Sequence, residues 1–358
     1  MSVTKSCLQI VALFAALPFA ASAQTFTFFD VPGAGGGFVQ GTFPETLNDA
    51  DQIAGFYNDA SDVSHGFLRD SDGTIITFDA PGAGSGANQG TFPFAMNRRG
   101  QIAGNILDSN GGSHGFLRNT GGKVIVFDVP GSTSTSVKAI DPLGQIVGVY
   151  RDSNKGVHGY IRAKNGDFLT LDVPSSAATL PTAINGKGQI TGFYSSNAQL
   201  HGFVRNADGS WTLFDPEGST GTSPYAISSN GEIVGSFKDV SSTHGFLRKK
   251  NGAITSFDVP GSVGTFAGSV NAVGQIAGSY DVATPSRAGV GNPSDLAICF
   301  ILGPPLSAFL RQKDGTITTF TAPDTLVTGT VGLDRVGNVA GLYLDGNCTS
   351  HGFLRKAQ

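Results

Sequence analysis

Gln52-Ile53-Ala54-Gly55, then His65-Gly66-Phe67-Leu68-Arg69, then Phe78-Asp79: these three short signatures decide the fold, because the rest of the chain repeats them. The first returns at Gln101–Gly104, Gln145–Gly148, Gln189–Gly192, Glu232–Gly235, Gln275–Gly278 and Asn338–Gly341. The second restarts at His114, His158, His201, His244 and His351, and once in the weakened form Ser307-Ala308-Phe309-Leu310-Arg311. The third recurs as Phe29-Asp30, Phe127-Asp128, Leu171-Asp172, Phe214-Asp215, Phe257-Asp258 and Phe320-Thr321. Each signature therefore appears seven times, at intervals of 43–49 residues except where one unit carries an insertion.

Within the first unit the pattern reads as four strands, near Thr42–Leu47, Gln52–Tyr57, His65–Arg69 and Thr74–Asp79. Turn residues separate them: Asn48-Asp49-Ala50-Asp51 after the first strand and Asp72-Gly73 after the third. An Asp-Gly or Asn-Gly pair between apolar runs signals a hairpin, with both turn residues expected at positive φ. Four antiparallel strands repeated seven times is the arithmetic of a β-propeller; leucine-rich and β-helical solenoids have shorter periods. The last unit ends after its third strand at Arg355-Lys356-Ala357-Gln358, while Thr25–Asp30 is a fourth strand with no first. Joining the two closes a ring and leaves no unpaired edge at the junction. The expectation is an all-β, seven-bladed propeller of four-stranded antiparallel blades, its N-terminal strand closing the last blade.

Composition agrees with that reading. Of 358 residues, 51 are Gly and 26 are Phe, 39% are hydrophobic and only 14% are charged. The net charge of −4 excludes a basic nucleic-acid footprint. Residues 1–23 read as a secretory signal, with Lys5 before an apolar run and Ala21-Ser22-Ala23 as the cleavage site. Residues 24–358 are then expected to form one propeller, exported as a soluble monomer, since no second apolar run approaches the ~20 residues of a membrane helix. Cys7 leaves with the signal. Cys299 and Cys348 remain, and in an oxidising compartment they form a disulfide candidate; the alternative is two free thiols.

The repeat resembles that of the extracellular repeat family called HAF, after its His-Ala-Phe motif, over essentially the whole of 24–358. Here the middle residue is Gly in six copies, and the seventh reads Ser307-Ala308-Phe309. The resemblance implies an exported repeat protein and brings no catalytic residues with it. A formal likeness to WD-repeat blades, in Gly-His and a strand-terminal Asp, lacks the Trp and the residue order.

His and Asp keep a spacing of fourteen in His65–Asp79, His114–Asp128, His158–Asp172, His201–Asp215 and His244–Asp258. Where His becomes Ser307, its partner becomes Thr321, so both members change together. His351 is expected to take Asp30 across the ring seam. Six equivalent dyads around a ring suit structure rather than catalysis: each hydrogen bond ties a third strand to the next linker, contributing roughly 1.5–3 kcal/mol if buried. Strand alternation puts His65, Phe67 and Arg69 on one face and Gly66 and Leu68 on the other, with Phe between blades and Gly admitting another backbone. The seven repeated Arg, from Arg69 to Arg355, are expected to lay their stems on blade edges with heads in solvent or on turn Asp residues; a cationic ring for an anion is the alternative.

Repeated positions build blades, so a specific site belongs where units differ. The fourth-to-first-strand linkers Val31–Gly41 and Ala80–Gly90 are long and Gly-rich, and the loop at 282–306 expands unit six by about twenty residues. Cys348 lies in the matching loop of unit seven. All fall on one arc of one rim, where Phe38, Gln40, Asn88, Gln89, Arg287, Asn292 and Asp295 are the candidate binding residues. The disulfide Cys299–Cys348 would pin the long loop there.

Chemistry beyond binding finds little support. The Gly-rich linkers lack a following helix and a Lys-Ser/Thr pair, so they are not phosphate loops. Six His at fixed repeat positions do not converge on one metal, and no His-x-x-x-His or Cys-x-x-Cys is present. Asp59, Asp108, Asp152, Asp239 and Asp345 recur after the second strand, as loop caps rather than Ca²⁺ ligands. Glycoside hydrolysis needs two placed carboxylates, and Glu occurs only at Glu45, Glu217 and Glu232. Asn347-Cys348-Thr349 fits a glycosylation acceptor. No catalytic, cofactor-binding or metal-binding residue is assigned and no cofactor is expected. The favoured reading is a non-enzymatic exported propeller that meets a polymer or protein at the rim. A carbohydrate-active hydrolase or lyase acting at the central pocket, and a purely structural surface protein, are the alternatives.

Overall fold

The computed structural model describes residues 25–282, 306–323, 325 and 327–357. Residues 1–24, which include the expected leader, and most of the loop at 282–306, with Arg287, Asn292, Asp295 and Cys299, lie outside the described residues. Within them the chain is all β, with twenty-eight strands numbered in chain order.

β1 (Phe26–Phe29) precedes the first unit, which consists of β2 (Gly41–Leu47), β3 (Ile53–Asn58), β4 (Ser64–Arg69) and β5 (Ile75–Phe78), paired antiparallel in sequence order. The same run recurs with first strands β6 (Gly90–Met96), β10 (Ser134–Ile140), β14 (Ala178–Ile184), β18 (Gly221–Ile227), β22 (Ser262–Val270) and β26 (Val327–Leu333). These first strands neighbour one another in order, and β26 neighbours β2, so they surround a common axis. The ring closes as the sequence implies. β1 pairs antiparallel with β28 (Ser350–Arg355), Phe26 opposite Arg355 and Phe29 opposite Gly352, and Lys356 N donates to the Thr25 carbonyl at 3.0 Å. The repeat thus folds into a closed propeller.

The hairpin turns differ from the expectation in one respect. Gly73 has φ of 93°, but Asp72 stays out of the left-handed region. Gly73 N bonds the Asp70 carbonyl and Asp70 N bonds the Thr74 carbonyl, which makes a three-residue loop, a type I turn followed by one left-handed glycine. Only the Gly of each Asp-Gly pair is conformationally required; Asp72 serves by accepting from Thr74 N at 2.8 Å.

Packing runs between units. The third-strand aromatics Phe67, Phe116, Tyr160, Phe203, Phe246, Phe309 and Phe353 are all fully buried. Phe67 packs with Ile53 and Tyr57 of its own unit and with Ala340 and Leu354 of the closing unit. Each such ring stabilises the ring of units by about 1.5–3 kcal/mol relative to exposure. Gly66 opens space for a ring rather than a backbone: a Cβ there would press on the Phe78 side chain, and Gly115 meets Phe127 in the same way. The repeated Arg residues also depart from the expectation. Their heads cap aromatic rings rather than forming ion pairs with the turn carboxylates. Asp72, Asp208 and Asp314 in those turns are held at lowered pKa by hydrogen bonds from Thr74, Ser210 and Thr316 and, in smaller part, by the charges of Arg69, Arg205 and Arg311. The Arg69 guanidinium lies 5.0 Å from the ring centroid of Phe29, Arg118 4.8 Å from Phe78 and Arg355 4.9 Å from Phe320, each ring belonging to the preceding unit. The planar cation caps an aromatic face where the third strands wedge together, and burial pushes the Arg118, Arg162, Arg248 and Arg355 pKa values down. A ring of cations open to an anion is not formed.

Candidate functional site

All six His–Asp pairs are in place. Nδ1 lies 2.9 Å from Asp79 for His65, 2.8 Å from Asp128 for His114, 2.8 Å from Asp172 for His158 and 2.7 Å from Asp215 for His201. His244 to Asp258 and His351 to Asp30 are both 2.9 Å, the last crossing the seam. The pairs are more solvent-exposed than expected: the Asp128 side chain is 47% exposed, so screening reduces each pair to about 1 kcal/mol or less.

Each of these His residues except His201 also faces a second carboxylate through Nε2, which the spacing rule did not reveal. His65 faces Asp59 at 3.6 Å and His114 faces Asp108 at 3.5 Å. Those Asp residues are loop caps: Asp59 Oδ1 accepts from Ser61 N at 2.8 Å and Val63 N at 2.9 Å. A Tyr at the end of the second strand stacks on the imidazole, Tyr57 on His65 at 5.0 Å. Between two carboxylates, His114, His158 and His244 are held above the usual histidine pKa, chiefly by the hydrogen bonds to Asp128, Asp172 and Asp258. Among the described residues no cluster has the make-up of a metal site.

At the rim, the linker 31–41 locks into its neighbours. Gly35 N donates to the Asn58 carbonyl at 2.8 Å, Val39 N to the Cys348 carbonyl at 3.2 Å, and Thr349 Oγ1 to the Gly36 carbonyl at 3.1 Å. The linker 80–90 repeats the arrangement one unit on, with Asn88 N donating to the Asp62 carbonyl at 2.8 Å. The two loop classes therefore meet on one face, unit to unit. Gln40 and Gln89 hold this ledge together. Gln40 donates to Asp62 at 2.8 Å and accepts from Gly37 N, while Gln89 donates to the Ser109 carbonyl at 3.3 Å and accepts from Gly86 N. Their amides act within the fold, whereas Phe38 is 48% exposed and the Asn88 side chain is exposed. Cys348 is disulfide-bonded; Cys299 lies outside the described residues.

The axis holds a feature the sequence reading passed over. Every first strand has a register shift against its second strand at the same place, which leaves one residue unpaired. Those residues are Glu45, Phe94 and Lys138 in the first three units, Thr182 and Tyr225 in the next two, and Gly268 and Val331 in the last two. No residue type recurs among them. The charge of Lys138, two units on, partly offsets the effect of burial on Glu45. No hydrogen bond or ion pair engages the Glu45 carboxyl among the described residues, and burial pushes its pKa up to about 7. Two residues beyond each bulge, Leu47, Met96, Ile140, Ile184, Ile227, Val270 and Leu333 form an apolar collar around a cavity of about 260 Å³. At its mouth Asp49 pairs with Arg98 at 2.7 Å and accepts from Arg335 N at 2.9 Å. Asp141 and Asp334 are buried and cap turns through Oδ1, and Asp141 Oδ2 has no hydrogen-bond partner among the described residues. Asn97 and Asn185 reach across to the next unit, donating to the Asp141 and Ser228 carbonyls at 3.0 Å each.

No family model matches the chain, and no curated protein matches it. Among solved structures it is similar to virginiamycin B lyase from Staphylococcus aureus, seen in a catalytically inactive form with quinupristin. The identity is 12%, over 94% of this chain and 100% of that one, with a TM-score of 0.57. A streptogramin B lyase structure matches at 12% identity over 93% and 98% of the two chains, TM-score 0.57. The β-propeller domain of the trilobed protease from Pyrococcus furiosus matches at 10% identity over 88% and 95%, TM-score 0.58. At such identities the likeness shows the fold, a β-propeller. That protease domain is described as having an open velcro topology, whereas here β1 and β28 fasten the ring.

Proposed function

We propose that this chain is an exported, non-enzymatic, seven-bladed propeller that binds a polymer or protein partner along one rim arc, formed by units six, seven, one and two. The observation that carries this reading is the interlocked ledge of linkers 31–41 and 80–90. Backbone and amide groups fix its shape, while Phe38 projects into solvent as an apolar anchor of the kind that dominates binding surfaces. The resemblance to HAF repeats and the leader-like residues 1–23 support export. A Cys299–Cys348 bridge would fix the loop of unit six beside the same ledge. No described helix is long and apolar enough to cross a membrane.

A carbohydrate-active hydrolase needs two placed acids at the axial mouth, whereas the lining there includes one, Asp49, held in an ion pair by Arg98. A purely structural role leaves the departures of units six, seven, one and two from the repeat without a purpose. Glycan and protein arrays probed with residues 24–358 test the reading. Ligands captured by the parent are expected to be lost when Phe38 becomes Ser or when 283–305 is replaced by a short Gly-Ser linker. Full retention by both variants would move the site off the rim.

A further inference from the structure

The axial cavity has two levels of different chemistry. Its body is the apolar collar, one aliphatic or Met side chain from each unit, around about 260 Å³. Apolar cavities of about 150 Å³ already take benzene, so this one has room for a ring or a short chain. Its mouth is formed by the second residue of each turn between a first and a second strand. Three adjoining units, seven, one and two, place Arg335, Asp49 and Arg98 there, while the other four, from Pro142 to Ala272, present uncharged residues. The mouth therefore carries two cations for one anion, all on one side.

The acid is fully used. Asp49 Oδ2 takes Arg98 Nε at 2.7 Å, and Oδ1 takes the Arg335 backbone N at 2.9 Å. The guanidinium groups are not. Arg98 spends one of its five donors on Asp49, and the Arg335 guanidinium has no partner among the described residues. The amides behind them have no donors left for a ligand. Asn97, Asn185 and Asn271 each spend Nδ2 on a Gln of their own unit and on a carbonyl of the next. That lacing also sets the shape of the ring before any ligand arrives. Each first strand runs from linker to turn, so the mouth opens on the face opposite the rim ledge.

We propose that the axial cavity binds a small organic monocarboxylate, its apolar body inside the collar and its carboxylate on the Arg335 guanidinium, beside Arg98. A guanidinium fork matches a carboxylate through two parallel N–H donors. Burial of the body supplies the attraction, and the charge decides which end faces outward. An amine of the same skeleton would bring a cation against two others, and an alcohol would leave the charge pair unmade. This site is separate from the rim ledge and rests on nothing proposed for it.

Isothermal titration of the folded chain 24–358 at pH 7 with 3-phenylpropionate and with hexanoate tests it. Saturable binding of at least one acid is expected. The alcohol and the amine of the same skeleton, and acetate, which lacks the body, are each expected to bind at least about tenfold more weakly. Arg335→Gln is expected to weaken the acid by about tenfold, Ile227→Trp to abolish binding by filling the collar, and Phe38→Ser to leave it unchanged. Arg335 is exposed and its guanidinium unpaired among the described residues, so Arg335→Gln decides the matter even if Ile227→Trp perturbs folding. No saturable binding of either acid up to about 10 mM, equal affinity for acid and alcohol, or an affinity unmoved by Arg335→Gln overturns the proposal.

Discussion

Phe29 lies beneath the Arg69 guanidinium, 5.0 Å from ring centroid to Cζ, although the two residues belong to different units. Phe29 sits on the strand that completes the closing unit, and its ring also meets Phe67 edge-on at 6.2 Å. The seam is therefore fastened by the same interdigitation as the internal junctions, where Arg118 covers Phe78 and Phe78 meets Phe116. Phe29→Ala is expected to cost about 2–4 kcal/mol and to lower the thermal midpoint by several degrees. Phe28→Ala, at a 42% exposed position, is expected to cost less. Equal effects in a thermal melt would show that the seam bears no packing load.

The His114–Asp128 pair gives a coupled, pH-dependent contribution. Its hydrogen bond and charge raise the folded pKa of His114 above 6.5, so the folded state binds the proton more tightly than the unfolded chain. Stability from the pair is complete below pH 6.5 and is lost as pH rises through the folded value. His114→Ala should therefore destabilise more at pH 6 than at pH 9. The double change with Asp128→Ala should cost less than the two singles summed, by about 0.5–1 kcal/mol. Denaturant melts at the two pH values measure both effects, and strict additivity would discard the pairing.

Glu45 moves stability in the same direction with pH, but as a penalty that grows rather than a gain that is lost. It holds a proton up to about pH 7 when folded and only to the ordinary carboxyl value of about 4.5 when unfolded. Across that window the folded chain carries the extra proton, so stability falls as pH rises. Glu45→Gln is expected to stabilise the protein by about 1–3 kcal/mol at pH 8 and to have little effect near pH 4. Chemical denaturation at these two values is the check; a loss of stability at pH 8 would contradict the burial argument.

Two glycines separate space from conformation. A Cβ at Gly55 would run into the Phe43 carbonyl and the Pro44 backbone, which do not move aside. Gly55→Ala should cost more than about 2 kcal/mol, as overpacking against backbone does. Gly36, with nothing near its missing Cβ, should accept Ala within about 0.5 kcal/mol. Circular dichroism melts of the pair distinguish the two cases.

The architecture was legible because it is written many times over. One hairpin with Asp72-Gly73 is a weak statement, whereas the same spacing in successive units, with Ser307 and Thr321 changing together, leaves little freedom. The closing strand is legible in the orphan Thr25–Asp30, and the repeat spacing alone assigns Asp30 to His351, 2.9 Å apart in the fold. What escaped was whatever depended on direction within a unit. Six of the seven Arg heads turn inward onto the preceding unit's rings because the third strands wedge together, while Arg205 meets Trp211 of its own unit instead. A strand pattern read one unit at a time does not convey this. The axial set escaped for a different reason. Glu45, Phe94 and Lys138 stand at the same step of their units, but a bulge is invisible to alternation, and it takes the most variable residue of each first strand out of the pairing register. Aligning the seven first strands column by column, and asking which column never repeats, is the signal that finds it.

The pairing of Phe26 with Arg355 and Phe29 with Gly352 has a consequence for how the molecule is made. Of the strands that make the ring, the one made first must wait, unpartnered, for the one made last. Until then the circle remains a curved strip with an apolar lip at each end. Its cooperative locking therefore waits on every other strand of the ring. Grafting residues 25–30 after residue 357 would remove that wait and is expected to speed refolding without altering the finished shape.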